Sequence, residues 1–159
     1  MKKTKPQGYF QQVEVLIKKK KRIAPFDGSI ESPKDAGRFF AHVLADKDRE
    51  ILGIIGLDVK NHINYFEVAH IGTMTQSLIH PREIFKASIL TNSHAIIMAH
   101  NHPSGDVTPS MADRRATEKM IDAGNLMGIE VIDHIIIAED KFFSIKGNKV
   151  TYLEEENHD

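Results

Sequence analysis

The chain has 159 residues, 41 % apolar and 27 % charged, proportions that suit one soluble domain around a single core. It contains no cysteine, which excludes disulfides, thiolate metal sites and a cysteine nucleophile. The formal net charge of −1 hides an asymmetry: residues 1–22 hold eight Lys or Arg against one Glu, and the remainder is acidic.

Residues 1–8 read as a disordered lead-in, basic but without the apolar stretch of a secretory signal. No segment approaches the ~20 apolar residues of a membrane span, so the expected location is the cytoplasm, with no membrane partner. Residues 9–18 (YFQQVEVLIK) alternate as a strand, with Val13, Val15 and Ile17 on one face. The basic run Lys18 to Arg22 suits either a solvated strand end or contact with phosphates, and no broad basic face accompanies it to drive DNA binding. Pro25 to Pro33 reads as loop. Ser32 and Pro33 are an N-cap and first helical residue, and Phe39, Phe40, Val43 and Leu44 carry the helix to about Ala45.

Residues 50–59 (EILGIIGLDV) form a nearly continuous apolar run, the pattern of a strand buried on both faces. A turn at 60–62 and a returning strand over 63–72 make an antiparallel hairpin. Pro81 opens a helix to Leu90, with Ile84, Phe85 and Ile89 for its buried side. Residues 95–99 are a short buried strand, and 103–109 a loop stiffened by two prolines. Thr108-Pro109 begins a helix to about Met127, stopped by Gly128. Strands follow over 129–138 and 142–145, and the tail 151–159 is acidic and frayed. The order implies an α/β fold with a mixed, largely antiparallel sheet flanked by helices.

The informative segment runs from His100 to Asp113. His100 and His102 are two apart at the end of a buried strand, so a period of two puts both imidazoles on one face. The loop returns as a helix whose first turns carry Ser110 and Asp113. Two His and one carboxylate, with water in the fourth position, is the ligand set of an open catalytic zinc site. Zinc lowers the pKa of such a water toward ~7. Ser110 can donate to a developing oxyanion or simply cap the helix, and Asp113 can also serve the helix dipole. A general base must lie near the water. Glu50, at the head of the apolar run, is the first candidate, and Glu67, which interrupts strand 63–72, the second.

His100, His102, Pro103, Ser110 and Asp113 together resemble the JAMM (MPN+) metalloprotease motif, whose remote Glu falls on Glu50. More closely, LDVKN (57–61), IGTMTQSLIHPREIFKASIL (71–90), HNHPSGDVTPSMAD (100–113) and GIEVIDHIII (128–137) are similar to the bacterial RadC family. The resemblance implies a cytidine-deaminase-like, JAMM (MPN) architecture over about residues 50–150, with residues 9–49 packing on it. It also implies one zinc on His100, His102 and Asp113, Glu50 as base and Ser110 at the oxyanion. Full-length relatives carry a helix-hairpin-helix region, for which the residues before Glu50 show no pattern, so the chain resembles a short form. Asp133 and His134 lie in a matching stretch. They are open between a place behind the ligands or near substrate and, for His134, an ordinary strand histidine.

The expected activity is that of a zinc-dependent peptidase or isopeptidase whose peptide or protein substrate binds as an extended strand. Two other readings stand beside it: a metal-dependent nuclease or DNA-repair factor, and a non-enzymatic binding module. Nuclease chemistry often uses two metals, and the sequence offers ligands for one. The oligomeric state is not read from the sequence.

Overall fold

The computed structural model describes residues 12–18, 28–73 and 79–153. Helix α1 (Pro33–Leu44) starts as its sequence demands. The Ser32 hydroxyl accepts from Asp35 N–H, the Asp35 carboxylate accepts from Ser32 N–H, and Pro33 takes the first helical position. Strands β1 (Ile51–Leu57) and β2 (Ile63–Ile71) form the expected hairpin. Its turn is held by the Asp58 carboxylate, which accepts from Lys60 and His62 N–H. Helix α2 (Pro81–Leu90), strand β3 (Ala95–Asn101), helix α3 (Met111–Met127) and strands β4 (Glu130–Ile137), β5 (Lys141–Ser144) and β6 (Lys149–Tyr152) complete the order.

The six strands form one sheet in the order β2-β1-β3-β4-β5-β6. Only β3 and β4 pair in parallel, as strands joined through helix α3; all other neighbours are antiparallel. The all-buried strands β1 and β3 lie at the centre, covered on both faces, which is why they read as apolar runs. Helix α1 covers one face, packing Phe39, Phe40 and Leu44 on Ile55, Ile97, Ile135 and Phe142. Helices α2 and α3 cover the other, packing Phe85, Ala116 and Met120 on Leu52, Ile54, Ile96 and Met98. Gly56 is required where it stands: a Cβ there would run into the Tyr65 ring and the Ser93 hydroxyl.

Four expectations are corrected. Ile89, expected on the buried side of α2, is exposed, and Ser88 is buried there instead. Residues 12–18 carry no strand pairing, and Val13, Val15, Leu16 and Ile17 are exposed; residues 9–11 lie outside the described part. Apolar alternation alone marks a segment able to pair, not one that has a partner. Helix α3 starts at Met111, because Ser110 closes a capping box with Asp113 and so sits at the N-cap, outside the helix. Residues 151 and 152, expected in a frayed tail, belong to β6, which pairs with β5 across a turn that includes Asn148 at φ +49; residues 154–159 lie outside the described part. Among the described residues no helix is long and apolar enough to cross a membrane.

Candidate metal centre

Strand alternation sends His100 to the α2/α3 face and Asn101 to the α1 face. At His102 the strand ends in a tight turn. Pro103 follows, the Gly105 N–H donates to the His102 carbonyl at 2.9 Å, and Gly105 sits at φ +77, where glycine carries no Cβ penalty. Val107 pins the loop into an apolar niche of Ile136, Ala138 and Ile145. The loop in turn fixes a ligand, since the Asp106 carbonyl oxygen lies 2.6 Å from His102 Nδ1.

The N-terminus of α3 delivers the carboxylate. Ser110 N–H and Ser110 Oγ both donate to Asp113 Oδ2, each at 2.7 Å, and Asp113 N–H donates to Ser110 Oγ at 3.1 Å. Oδ2 is thus held by the cap, and Oδ1 faces His100 Nε2 at 3.3 Å. His102 Nε2 lies 3.0 Å from His100 Nε2 and 3.9 Å from Asp113 Oδ2. One ligand atom from each of Glu50, His100, His102 and Asp113 falls within 4.8 Å of all the others. His100 and Asp113 are almost wholly buried, and His102 keeps some exposure.

The charge state suits a cation. Burial, helped by the neighbouring His102, pushes the His100 pKa down to about 3, and burial holds His134 well below the usual histidine range. Both rings are therefore neutral at pH 7. A carbonyl can only accept, so His102 Nδ1 carries its hydrogen toward Asp106, and a neutral ring then has a bare Nε2. That lone pair points at His100 Nε2 and the Asp113 carboxylate. Among the described residues no Lys or Arg forms an ion pair with Asp113. Nitrogen and oxygen donors converging without a positive group between them can hold a divalent metal ion.

Glu50 precedes β1 and joins this group because β1 pairs with β3, Leu52 lying opposite His100. Asn101, a residue the sequence reading passed over, makes that junction rigid. Its Oδ1 accepts from Ile51 N–H at 2.8 Å, and its Nδ2 donates to the Arg49 carbonyl at 3.0 Å and to Lys47 at 3.4 Å. The amide brackets Glu50 on both sides. An amide between two candidate ligands at a strand end was a visible signal, since a buried side-chain amide must find partners.

Glu67, the other candidate base, lies outside the group. It sits half-buried on β2 with Oε1 finding no hydrogen-bond partner among the described residues, and burial raises its pKa. His134 stands directly behind His100, its Nε2 2.9 Å from His100 Nδ1. Its Nδ1 lies 2.7 Å from Thr117 Oγ1, on the helix turn after Asp113. Thr117 was the second residue missed, although its i+4 spacing from Asp113 placed it on the same helix face. Asp133 is not part of the site. It alternates with Ile135 and Ile137 onto the α1 face, and its carboxylate accepts from His134 N–H, Lys146 N–H and the Ser144 hydroxyl.

The family described as the RadC-like JAB domain matches residues 30–150. A UPF0758 protein from Desulfitobacterium hafniense is 43 % identical over 117 residues, 74 % of this chain and 52 % of the relative. A UPF0758 protein from Methanosarcina barkeri is 40 % identical over 136 residues, covering 86 % of this chain and 57 % of its own length. One from Staphylococcus carnosus is 44 % identical over 116 residues. The chain spans about half the length of the curated relatives it matches. With a mixed sheet between helices and a cluster able to hold a metal ion, the fold is metal-dependent-hydrolase-like, and the chain belongs to the RadC family of JAB-domain proteins.

Proposed function

We propose that the chain is a zinc-dependent hydrolase acting on amide bonds of peptide or isopeptide substrates. The observation that carries this is the convergence of His100, His102, Asp113 and Glu50 within 4.8 Å. Two imidazoles and one carboxylate leave a coordination position open, as catalytic zinc sites do. Zinc bound there supplies a Lewis acid that polarises a carbonyl and acidifies a water.

The protein's own groups do the rest. Glu50, bracketed by Asn101, accepts the water's proton and returns it to the leaving amine. Ser110 first orients Asp113 through the two bonds to Oδ2. The same hydroxyl would be the donor available to the carbonyl oxygen of a substrate. Among the described residues no strand pairs with the outer edge of β2, which favours an extended peptide there: its last residue, Ile71, pairs with Ile51, next to Glu50, and Val68 and Ile71 are exposed.

Elemental mass spectrometry of the purified protein tests the reading. The expected result is near one zinc per chain, lost in His102→Ala and Asp113→Ala. Zinc absent after reconstitution, or kept by both variants, overturns the ligand assignment and the hydrolase with it. Given zinc, cleavage of nucleic acid rather than of any peptide or isopeptide would replace the substrate class.

A further inference from the structure

We infer that His134 is a positioning residue: it accepts the Nδ1–H of His100 and so leaves His100 Nε2 bare toward the cation site. The inference rests on the reading of His100 and Asp113 as metal ligands. It is carried by the direction of three consecutive hydrogen bonds.

Thr117 has one hydroxyl hydrogen. Its Oγ1 lies 2.7 Å from the Asp113 carbonyl oxygen, which can only accept, so the hydrogen goes there. The same Oγ1 lies 2.7 Å from His134 Nδ1, and that nitrogen must supply the hydrogen between them. A neutral imidazole carries one N–H, so His134 Nε2 is a lone pair. It lies 2.9 Å from His100 Nδ1, which is therefore the donor. The single N–H of His100 is used behind the site, and Nε2 faces forward without one.

The chain of bonds runs from one ligand to the other. Asp113 offers its carboxylate to the site and its backbone carbonyl to Thr117, and from Thr117 the path runs through His134 to His100. Two ligands from different elements, β3 and α3, are thus locked together behind the position of the ion. All four members are buried. Such partners fix the tautomer and ring orientation of metal-binding histidines.

The sheet bends its pairing to put His134 there. Ile96 pairs with Val131 but Ile97 with Asp133, so Ile132 is an extra residue in β4. Without that slip Asp133 would stand beside Met98 on the α3 face, and His134 would point toward α1. Irregularities of this kind re-aim side chains next to functional sites. A histidine that merely filled space would need neither the slip nor a chain of bonds with one consistent direction.

The test reads the protein with and without zinc. In metal-free protein labelled with 15N-histidine, NMR shifts show which ring nitrogen carries hydrogen; His100 and His134 are expected as Nδ1–H. Thr117→Val keeps the shape but removes the acceptor for His134, and a mixture of His100 tautomers is expected. Zinc affinity by chelator competition should fall about 10–100-fold in His134→Leu and less in Thr117→Val. His134→Gln, whose amide oxygen accepts from His100, should restore most of the loss. Circular dichroism identifies any variant that does not fold, in which case Thr117→Val and the wild-type tautomers decide. His100 protonated on Nε2 in the metal-free wild type, or folded variants that bind zinc as tightly as wild type, would overturn the inference. A wild type that binds no zinc overturns the ligand reading instead, and the tautomers alone then judge the relay.

Discussion

The two faces of the sheet are built from the same strands and do different work. Toward α1, alternate residues of β1, β3 and β4 meet Phe39, Phe40 and Phe66, whose rings stack edge to face. The buried polar groups on that face tie strand ends: Asn101 holds the start of β1, and Asp133 holds the turn after β5. Toward α3, the same strands present His100 and His134 to Asp113 and Thr117. One face stores cohesion and the other gathers the candidate metal ligands. A parallel strand read as uniformly apolar can thus hide a division of labour between odd and even positions.

Substitutions on either face should separate cleanly. Phe40→Ala, at a fully buried ring, should cost about 3–5 kcal/mol in urea unfolding while the folded fraction keeps its zinc. Loss of zinc from that folded fraction would show that the faces are coupled. Glu50→Gln should do the reverse: unfolding and zinc content unchanged, hydrolysis down about 10²–10⁴-fold. A fully active Glu50→Gln protein removes Glu50 as the base.

Asn101→Ala tests the one residue that joins the faces. It leaves the Ile51 N–H and the Arg49 carbonyl without their partner, which should cost about 1–3 kcal/mol. Because Asn101 acts on Glu50 and not on the ion, turnover should fall further than zinc affinity; equal losses would contradict that placement. The last test changes pH and no residue. The folded metal-free protein keeps His100 neutral down to about 3, whereas the unfolded chain protonates it near 6.5. The unfolded state therefore binds more protons between those values, so stability is full above about 6.5 and falls as pH drops. The slope for this group is at most ~1.4 kcal/mol per pH unit. His134, also depressed, acts in the same direction. Urea midpoints of the metal-free protein that are equal at pH 5 and pH 7 would rule this out.

Much of the site was legible because it is local. The candidate ligands lie between His100 and Asp113, where strand alternation, a Pro-Ser-Gly turn and a capping box can each be read from neighbouring residues. The same holds for the Ser32 cap of α1, for Pro81 opening α2 and for the hairpin of β1 and β2. The role of His134 stayed open because it depends on an extra residue in β4, and a one-residue slip reverses every later side chain. The choice between Glu50 and Glu67 depended on which strand of the hairpin meets β3, a pairing that brings Ile51 to Asn101 across fifty positions of chain. The strand expected over residues 9–18 failed for the opposite reason: over residues 12–18 its alternation is real but meets no neighbour.

The capped junction of β3 and α3 also bears on how the molecule assembles. Closing the segment from His100 to Asp113 costs little chain entropy, because the loop is short and stiffened by Pro103 and Pro109. Glu50 comes from far upstream and reaches the cluster only after β1 has docked beside β3. The ligand set is therefore a low-contact-order feature and the carboxylate a high-contact-order one. A nascent chain with only the local part formed brings His100, His102 and Asp113 together, and Glu50 joins them last, with the closing of the central strand pair.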